Sequence, residues 1–290
     1  MPQPSALNAS PPRTRSRRRN GEVLAAGGRS AAAAAAEDDR QFVTALWRGL
    51  EVLSAFRAGE PALTNQTLAE RTGLPKPTVS RLSHTLTKSG FLAYNSTNGT
   101  YELGSRAVAL GYVAIGNLDI RGVARPLMQR LADRGDCNVG LGIRQHHSML
   151  HIETCEGEAL VSLRLFPGSR IPLATTAMGR AYLAALPEGE RTALLAELEA
   201  AYGAQWPQVL KGIERARRSI ARDGYCLSLG EWQRDINGAG AAVVLPYGRG
   251  VYAFNVGGPA HLLTREKLTE IYGPTLARLA HEVAARMGSG

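Results

Sequence analysis

From residue 41 onward, apolar positions recur at helical spacing. Val43, Leu46, Trp47, Leu50 and Leu53 form one stripe and predict a helix with that face turned inward. Thr64 stands where an N-cap is needed, with Leu63 and Leu68 at the N′ to N4 spacing of a hydrophobic staple, so a second helix is expected from Asn65 to Thr72. Gly73 suits its left-handed stop, and Pro75 biases Leu74 away from the helical region. Pro77 fits the first position of a third helix, in which Val79, Leu82, Ser83 and Leu86 follow the i, i+3, i+4, i+7 pattern. Residues 91 to 94 and 100 to 103 flank the polar run Asn95-Ser96-Thr97-Asn98-Gly99, and the Asn-Gly pair predicts a hairpin.

Three helices followed by a hairpin read as a winged helix-turn-helix. The third helix leaves Lys76, Thr78, Ser80, Arg81, His84, Thr85 and Lys88 outside, with three positive charges and no acid between Pro75 and Gly90. That face suits an approach to phosphates, and its short hydroxyl side chains can come close to base edges. The candidate DNA contacts are Thr64, Asn65, Lys76, Pro77, Thr78, Ser80, Arg81, His84, Lys88 and, on the wing, Asn98.

Beyond the hairpin, residues 105 to 117 predict an Ala- and Val-rich helical connector, and Asp119 is expected to cap a helix through Arg134 that Pro126 can kink. Apolar strands over 139 to 143 and 149 to 153 flank the polar turn Arg144-Gln145-His146-His147, and a further strand is expected over 159 to 166. Helices follow over 177 to 186, 190 to 202 and 209 to 223. Strands over 241 to 245 and 251 to 256 then lead to a last helix capped by Thr264. Helices bracketing a mostly antiparallel sheet make the fold class α+β.

The 290 residues fit about two domains, and 44% hydrophobic content suffices for packed cores. The expected divisions are a basic leader over 1–39, the winged helix-turn-helix over 40–104, a helical linker over 105–120 and a second domain over 121–288. A net charge of +9 fits a nucleic-acid partner but is spread along the chain. Its densest point is the leader, where Arg13, Arg15, Arg17, Arg18 and Arg19 fall within seven positions, followed by six alanines. Such a composition is expected to be disordered. It reads either as an arm for phosphate contacts or as a solvated leader or mistaken start. No apolar core of an export signal follows the arginines, and no run of about 18 apolar residues predicts a membrane span. Three cysteines, Cys137, Cys155 and Cys226, suggest no disulfide framework, and the cytoplasm is the expected compartment.

The run Leu68-Ala69-Glu70-Arg71-Thr72-Gly73-Leu74-Pro75-Lys76-Pro77-Thr78-Val79-Ser80-Arg81-Leu82 resembles the DNA-binding domain of the isocitrate lyase regulator (IclR) family, with Pro77 where that family usually has Ser. The run from Arg170 to Pro187, through Ala174-Thr175-Thr176-Ala177-Met178-Gly179, resembles the family's effector-binding domain, itself similar to the GAF sensor fold. Arg222-Asp223-Gly224-Tyr225, Glu231 and Asn255-Val256-Gly257-Gly258-Pro259 support it. The family's Cys and Pro near residues 241 to 245 are missing, and its serines are Asn255 and Gly257 here. The resemblance covers residues 41 to 287. It implies an effector-responsive transcription regulator that binds a pseudo-palindromic double-stranded operator as a homodimer or tetramer.

On chemistry, Thr175, Thr176, Ala177, Met178 and Gly179 open a helix with hydroxyls, free amides and small residues, which suits a carboxylate or aromatic acid. Glu231, Asn237 and Asn255 are the further candidate effector contacts. No cofactor is implied. His146, His147, His151 and Cys155 are close in sequence, but strand alternation sends neighbours to opposite faces, so they are not expected to hold a metal. The alternative function is a small-molecule-binding enzyme of unknown reaction with an accessory DNA-binding domain. Its best nucleophile, Cys155 near His151, reads more simply as an inert buried thiol. No Gly-x-Ser-x-Gly, Walker loop or His-Glu-x-x-His occurs.

Overall fold

The computed structural model describes residues 41–135, 137–157, 165–245 and 250–288. Helix α1 spans Thr44–Ser54, strand β1 Leu63–Thr64, helix α2 Asn65–Thr72, helix α3 Lys76–Lys88, and strands β2 and β3 Leu92–Asn95 and Thr100–Leu103. Thr64 caps α2 by accepting the Thr67 amide at 3.1 Å, and Gly73 closes the helix at φ 70°, a conformation that costs glycine little. Helix α3 begins at Lys76, which makes Pro77 its second residue instead of the expected first; no side chain caps it. β1, β3 and β2 pair antiparallel, and β2 and β3 are in register from Leu92 opposite Leu103 to Asn95 opposite Thr100.

The core of this unit is small: Val52, Ala55, Phe56, Leu63, Leu68, Ala69, Val79 and Leu92. It corrects the reading of α1. Val43, Leu46 and Leu50 are 61%, 62% and 52% exposed, and only the C-terminal end of the helix, at Val52 and the following Ala55 and Phe56, reaches the core. An apolar stripe marks a face that avoids water, without saying whether this chain supplies the cover.

Helix α4, Ser105–Gly116, buries no residue. It is tied to the hairpin through Arg106, whose Nη1 donates to the Ser89 carbonyl at 3.1 Å and whose guanidinium lies over the Phe91 ring. A bend of 79° separates α4 from α5, Asp119–Ala132. Asp119 is the first helical residue and not the cap; Leu118 takes that position and makes no side-chain cap. The carboxylate still lies at the positive end of the helix. Helix α5 continues through Pro126 and ends two residues before the expected Arg134.

Among the described residues, the second domain is built on a six-stranded antiparallel sheet in the order β6-β5-β4-β9-β8-β7. Its strands are β4 Asn138–Gln145, β5 Ser148–Glu156, β6 Arg170–Pro172, β7 Cys226–Leu229, β8 Ile236–Val244 and β9 Val251–Pro259. The edge strands β6 and β7 were not anticipated, being too short for a period-2 signal. The strand expected over 159 to 166 lies mostly outside the described residues, and Leu165 and Phe166 are not in a strand. One face of the sheet packs against α5 and the last helix, α10 (Gly273–Gly288), through Met128, Leu141, Phe254, Leu276 and Val283. Thr264 caps the short helix α9, Arg265–Lys267, and a single π turn over Leu268–Tyr272 joins it to α10. The other face carries α6 (Ala177–Ala185), α7 (Glu188–Tyr202) and α8 (Trp206–Asp223). Helix α6 lies so close to β8 that a Cβ on Gly240 would stand 2.2 Å from the Ala177 carbonyl oxygen.

Candidate functional site

Two surfaces gather most of the candidate residues. On α3, Val79 and Ser83 are buried and Leu82 and Leu86 partly so. Lys76, Pro77, Ser80, Arg81, His84 and Lys88 are exposed, and Thr78 is half-buried. The i, i+3, i+4, i+7 reading thus separates the two faces correctly, because a 13-residue helix packed on one side has only one core-facing stripe. Thr64 Oγ1 is engaged with Thr67, and Asn65 Nδ2 donates to the Lys76 carbonyl at 3.3 Å, joining the starts of α2 and α3. Asn65 is therefore an internal brace as well as a candidate contact. Asn98 sits exposed at the wing tip, where Asn95 Oδ1 accepts from the Thr97 and Asn98 amides.

The second site is an open cleft between the start of α6, the end of the sheet and the segment before β6. Thr176, Ala177, Ser228, Asn237 and Asn255 give it polar groups and backbone; Leu165, Ile171, Trp232, Ile236 and Val256 give it apolar walls. No charged side chain is in the lining among the described residues. Thr176 caps α6 by accepting the Gly179 amide at 3.2 Å and donates to the Pro172 carbonyl at 2.6 Å. The first amides of α6, at Ala177 and Met178, have no acceptor within the helix. Ser228 Oγ donates to the Thr175 carbonyl at 2.8 Å, and Asn237 Nδ2 to the Leu263 carbonyl at 2.9 Å. Among the described residues, Asn255 Oδ1 is buried without a hydrogen-bond partner.

The expected effector residues divide accordingly. Thr176, Ala177, Asn237 and Asn255 meet at the cavity; Thr175, Met178, Gly179 and Glu231 are outside its lining. Gly179 instead allows contact with the chain before it, since a Cβ there would come 2.0 Å from the Leu173 carbonyl oxygen. Glu231 is committed to two arginines, Arg180 at 2.8 Å and Arg215 at 2.6 Å. Burial pushes its carboxyl up, but hydrogen bonds and charge from both arginines outweigh that and hold it below the usual range. Ser228, Trp232 and Ile171 were missed. They come from short edge strands and a loop, so only the folded sheet brings them to Thr176.

The alternative chemistries find little here. The thiols of Cys155 and Cys226 are buried, and that burial pushes them up to about 11 and about 12, so neither is a ready nucleophile. His147 Nε2 pairs with Glu197 at 3.2 Å, and no group of three or more potential metal ligands occurs among the described residues. Among those residues no single helix is long and apolar enough to cross a membrane.

Comparison with known proteins finds matches for both parts of the chain. Residues 45–96 match the IclR helix-turn-helix domain, and residues 112–285 match the bacterial transcriptional regulator IclR C-terminal domain. The chain is 34% identical over 247 residues to the HTH-type transcriptional regulator TsaQ1/TsaQ2 of Comamonas testosteroni, covering 84% of this chain and 88% of that one. It superposes with a TM-score of 0.76 and 45% identity on an IclR family transcriptional regulator from Brucella abortus, covering 86% and 94% of the two chains. An IclR homolog from Microbacterium hydrocarbonoxydans, solved in complex with 4-hydroxybenzoate, shares the fold at TM-score 0.66 and 21% identity over 85% of this chain and all of that one. The chain belongs to the IclR family of DNA-binding transcriptional regulators.

Proposed function

We propose that α3 reads an operator through Lys76, Thr78, Ser80, Arg81, His84 and Lys88, with Pro77, Thr64 and Asn65 at its leading end and Asn98 in the wing. The observation that carries this reading is the exposed, acid-free face of α3, directly followed by a hairpin. The working divisions are residues 40–104 for DNA, 105–120 for the linker and 121–288 for sensing. The cleft at the start of α6 is the effector site, and the helix-start amide of Ala177 and the apolar walls suit an aromatic or other organic acid. The 4-hydroxybenzoate held by the distant homolog belongs to the same ligand class.

Exposed apolar positions on α1 (Val43, Leu46, Leu50) and α4 (Val108, Leu110, Tyr112, Val113) support assembly into a homodimer or tetramer. A dimer accounts for recognition of two half-sites, and an effector that alters their spacing would shift the population able to bind. The cytoplasm is the compartment this work requires. The purified chain, on DNA flanking its own reading frame, is expected to protect two half-sites about one helical turn, or a multiple of it, apart. Protection without a repeated half-site, or none, would remove this account.

A further inference from the structure

The strand that walls one side of the cleft also reaches the DNA-binding unit. Among the described residues β6 is a three-residue edge strand, paired with β5 from Leu150 opposite Arg170 to Ser148 opposite Pro172. Its side chains alternate between the two sides of the sheet. Ile171 is buried and lines the cleft, and the Pro172 carbonyl accepts the hydroxyl of Thr176, the residue that caps α6. Arg170 is exposed on the other side of the strand. Its Nε donates to Gln145 Oε1 at 2.5 Å, and its Nη1 donates to the Phe56 carbonyl at 3.4 Å, across 114 positions of the chain. Just before β6, the Cβ position of Gly168 is 3.8 Å from Cβ of Ala58.

Phe56 lies at a sensitive point of the DNA-binding unit. The carbonyls of Ala55 and Phe56 follow the end of α1, where the helix dipole favours cations. Arg71, in the last turn of α2, takes the first: its Nη1 donates to the Ala55 carbonyl at 3.0 Å, while its Nη2 pairs with Glu60. Arg170 takes the second. Adjacent carbonyls thus tie the end of α1 to the helix-turn-helix on one side and to the second domain on the other. The second tie is the weaker. It is longer, and Arg57 opposes it: partial burial and then the like charge of Arg57 hold the Arg170 guanidinium below its ordinary pKa. Arg71 instead has the Glu60 carboxylate beside it. A contact near balance is one that a small differential interaction can tip.

We propose that β6 is the switch joining the cleft to the DNA-binding unit: Arg170 holds the Phe56 carbonyl in one arrangement of the two regions and releases it in another, and a ligand seated against Ile171 changes the ratio between them. This inference rests on the cleft being the effector site. Arg170 and Ile171 are consecutive residues of one edge strand, so a displacement of the backbone at the cleft wall moves the guanidinium as well. An edge strand of three residues yields to such a displacement more readily than the central β4, which is bonded to both β5 and β9.

The test uses the full-length chain in locked and released forms. Ala58→Cys with Gly168→Cys places two thiols within disulfide reach, and the native cysteines are buried. Gly168 stands at φ 92°, which strains a cysteine there, so Gly168→Cys alone is the control for folding. An intrachain disulfide, identified by mass spectrometry after mild oxidation, is expected; its absence in a pair variant that folds like the control would overturn the contact. Arg170→Ala is the released form. On DNA flanking the chain's own reading frame, the locked and released forms are expected to differ in affinity by at least about fivefold, with Arg170→Lys, which keeps the charge and a donor, close to the parent. If Gly168→Cys does not fold, the same comparison runs between Arg170→Ala and the parent. Equal affinities would contradict the proposal, and so would an equal loss by Arg170→Ala on unrelated DNA, which would mark a general charge effect. With 4-hydroxybenzoate as the probe, the parent's DNA affinity is expected to shift while neither the locked nor the released form responds; a full response in Arg170→Ala would contradict the proposal. If the parent itself does not respond, the effector reading of the cleft loses its support for aromatic acids, while locked against released DNA affinity still decides the switch.

Discussion

The two working regions place their chemistry on opposite sides of their packing. On α3 the proposed contacts project outward from a core of eight buried residues, whereas around the cavity the polar groups lie between the sheet and α6, with Asn255 and Thr176 themselves buried. An outward group can change with little cost to folding. An inward polar group is held by its neighbours, so altering it disturbs stability and recognition together. The DNA-binding unit should therefore separate structure from function cleanly by mutation, and the sensing domain should not.

The largest expected effect comes from attacking the small core itself. Leu68→Ala should cost about 2–5 kcal/mol, comparable with the whole stability of a unit this size. Thermal unfolding should then show the DNA-binding unit melting before the second domain; a single shifted transition would mean that the two fold as one. Next is Arg81→Ala, expected to weaken specific DNA binding by roughly 1–3 kcal/mol if the guanidinium meets a base edge, while changing stability by less than about 0.5 kcal/mol. Titration of operator and unrelated DNA with the variant separates base reading from a uniform phosphate effect. An equal loss of fold and binding would erase the contrast between the regions.

A smaller effect concerns Glu231. Because Arg180 and Arg215 hold its folded-state pKa below normal, its contribution to stability is complete above the unfolded value of about 4.3 and is lost as pH falls through the lowered folded one. Denaturation midpoints of the parent and Glu231→Gln should therefore differ at neutral pH and converge in acid; a gap constant with pH would show that the ion pairs contribute nothing. Smallest is removal of residues 1–39. If the five clustered arginines meet phosphate, the salt dependence of DNA affinity should flatten by about 0.9 in log–log slope per lost contact, and an identical slope would show that they do not.

How much the sequence revealed follows the same division. The helix-turn-helix was legible because its signals are local: Thr64 caps, Gly73 stops, and Val79 and Ser83 mark one stripe. The β4–β5 hairpin was legible for the same reason. The cavity was half legible. Thr176 and Ala177 announce a helix start, but Ser228 and Trp232 join them only through edge pairing that no local pattern encodes, and Glu231 turned inward to Arg180. The stripe on α1 misled for a further reason: periodicity cannot tell a face packed in this chain's core from an apolar face left exposed.

Coupling between the two regions is the central claim, and linkage tests it most directly. Affinity for the operator is measured with and without 4-hydroxybenzoate, and affinity for 4-hydroxybenzoate with and without operator, in the parent and in Ala177→Leu, which fills the cavity. The account predicts that each ligand changes the other's affinity by the same factor in the parent, and that the variant still binds operator but no longer responds. An operator affinity that shifts with the acid as strongly in folded Ala177→Leu as in the parent would place the sensing site elsewhere and contradict the account.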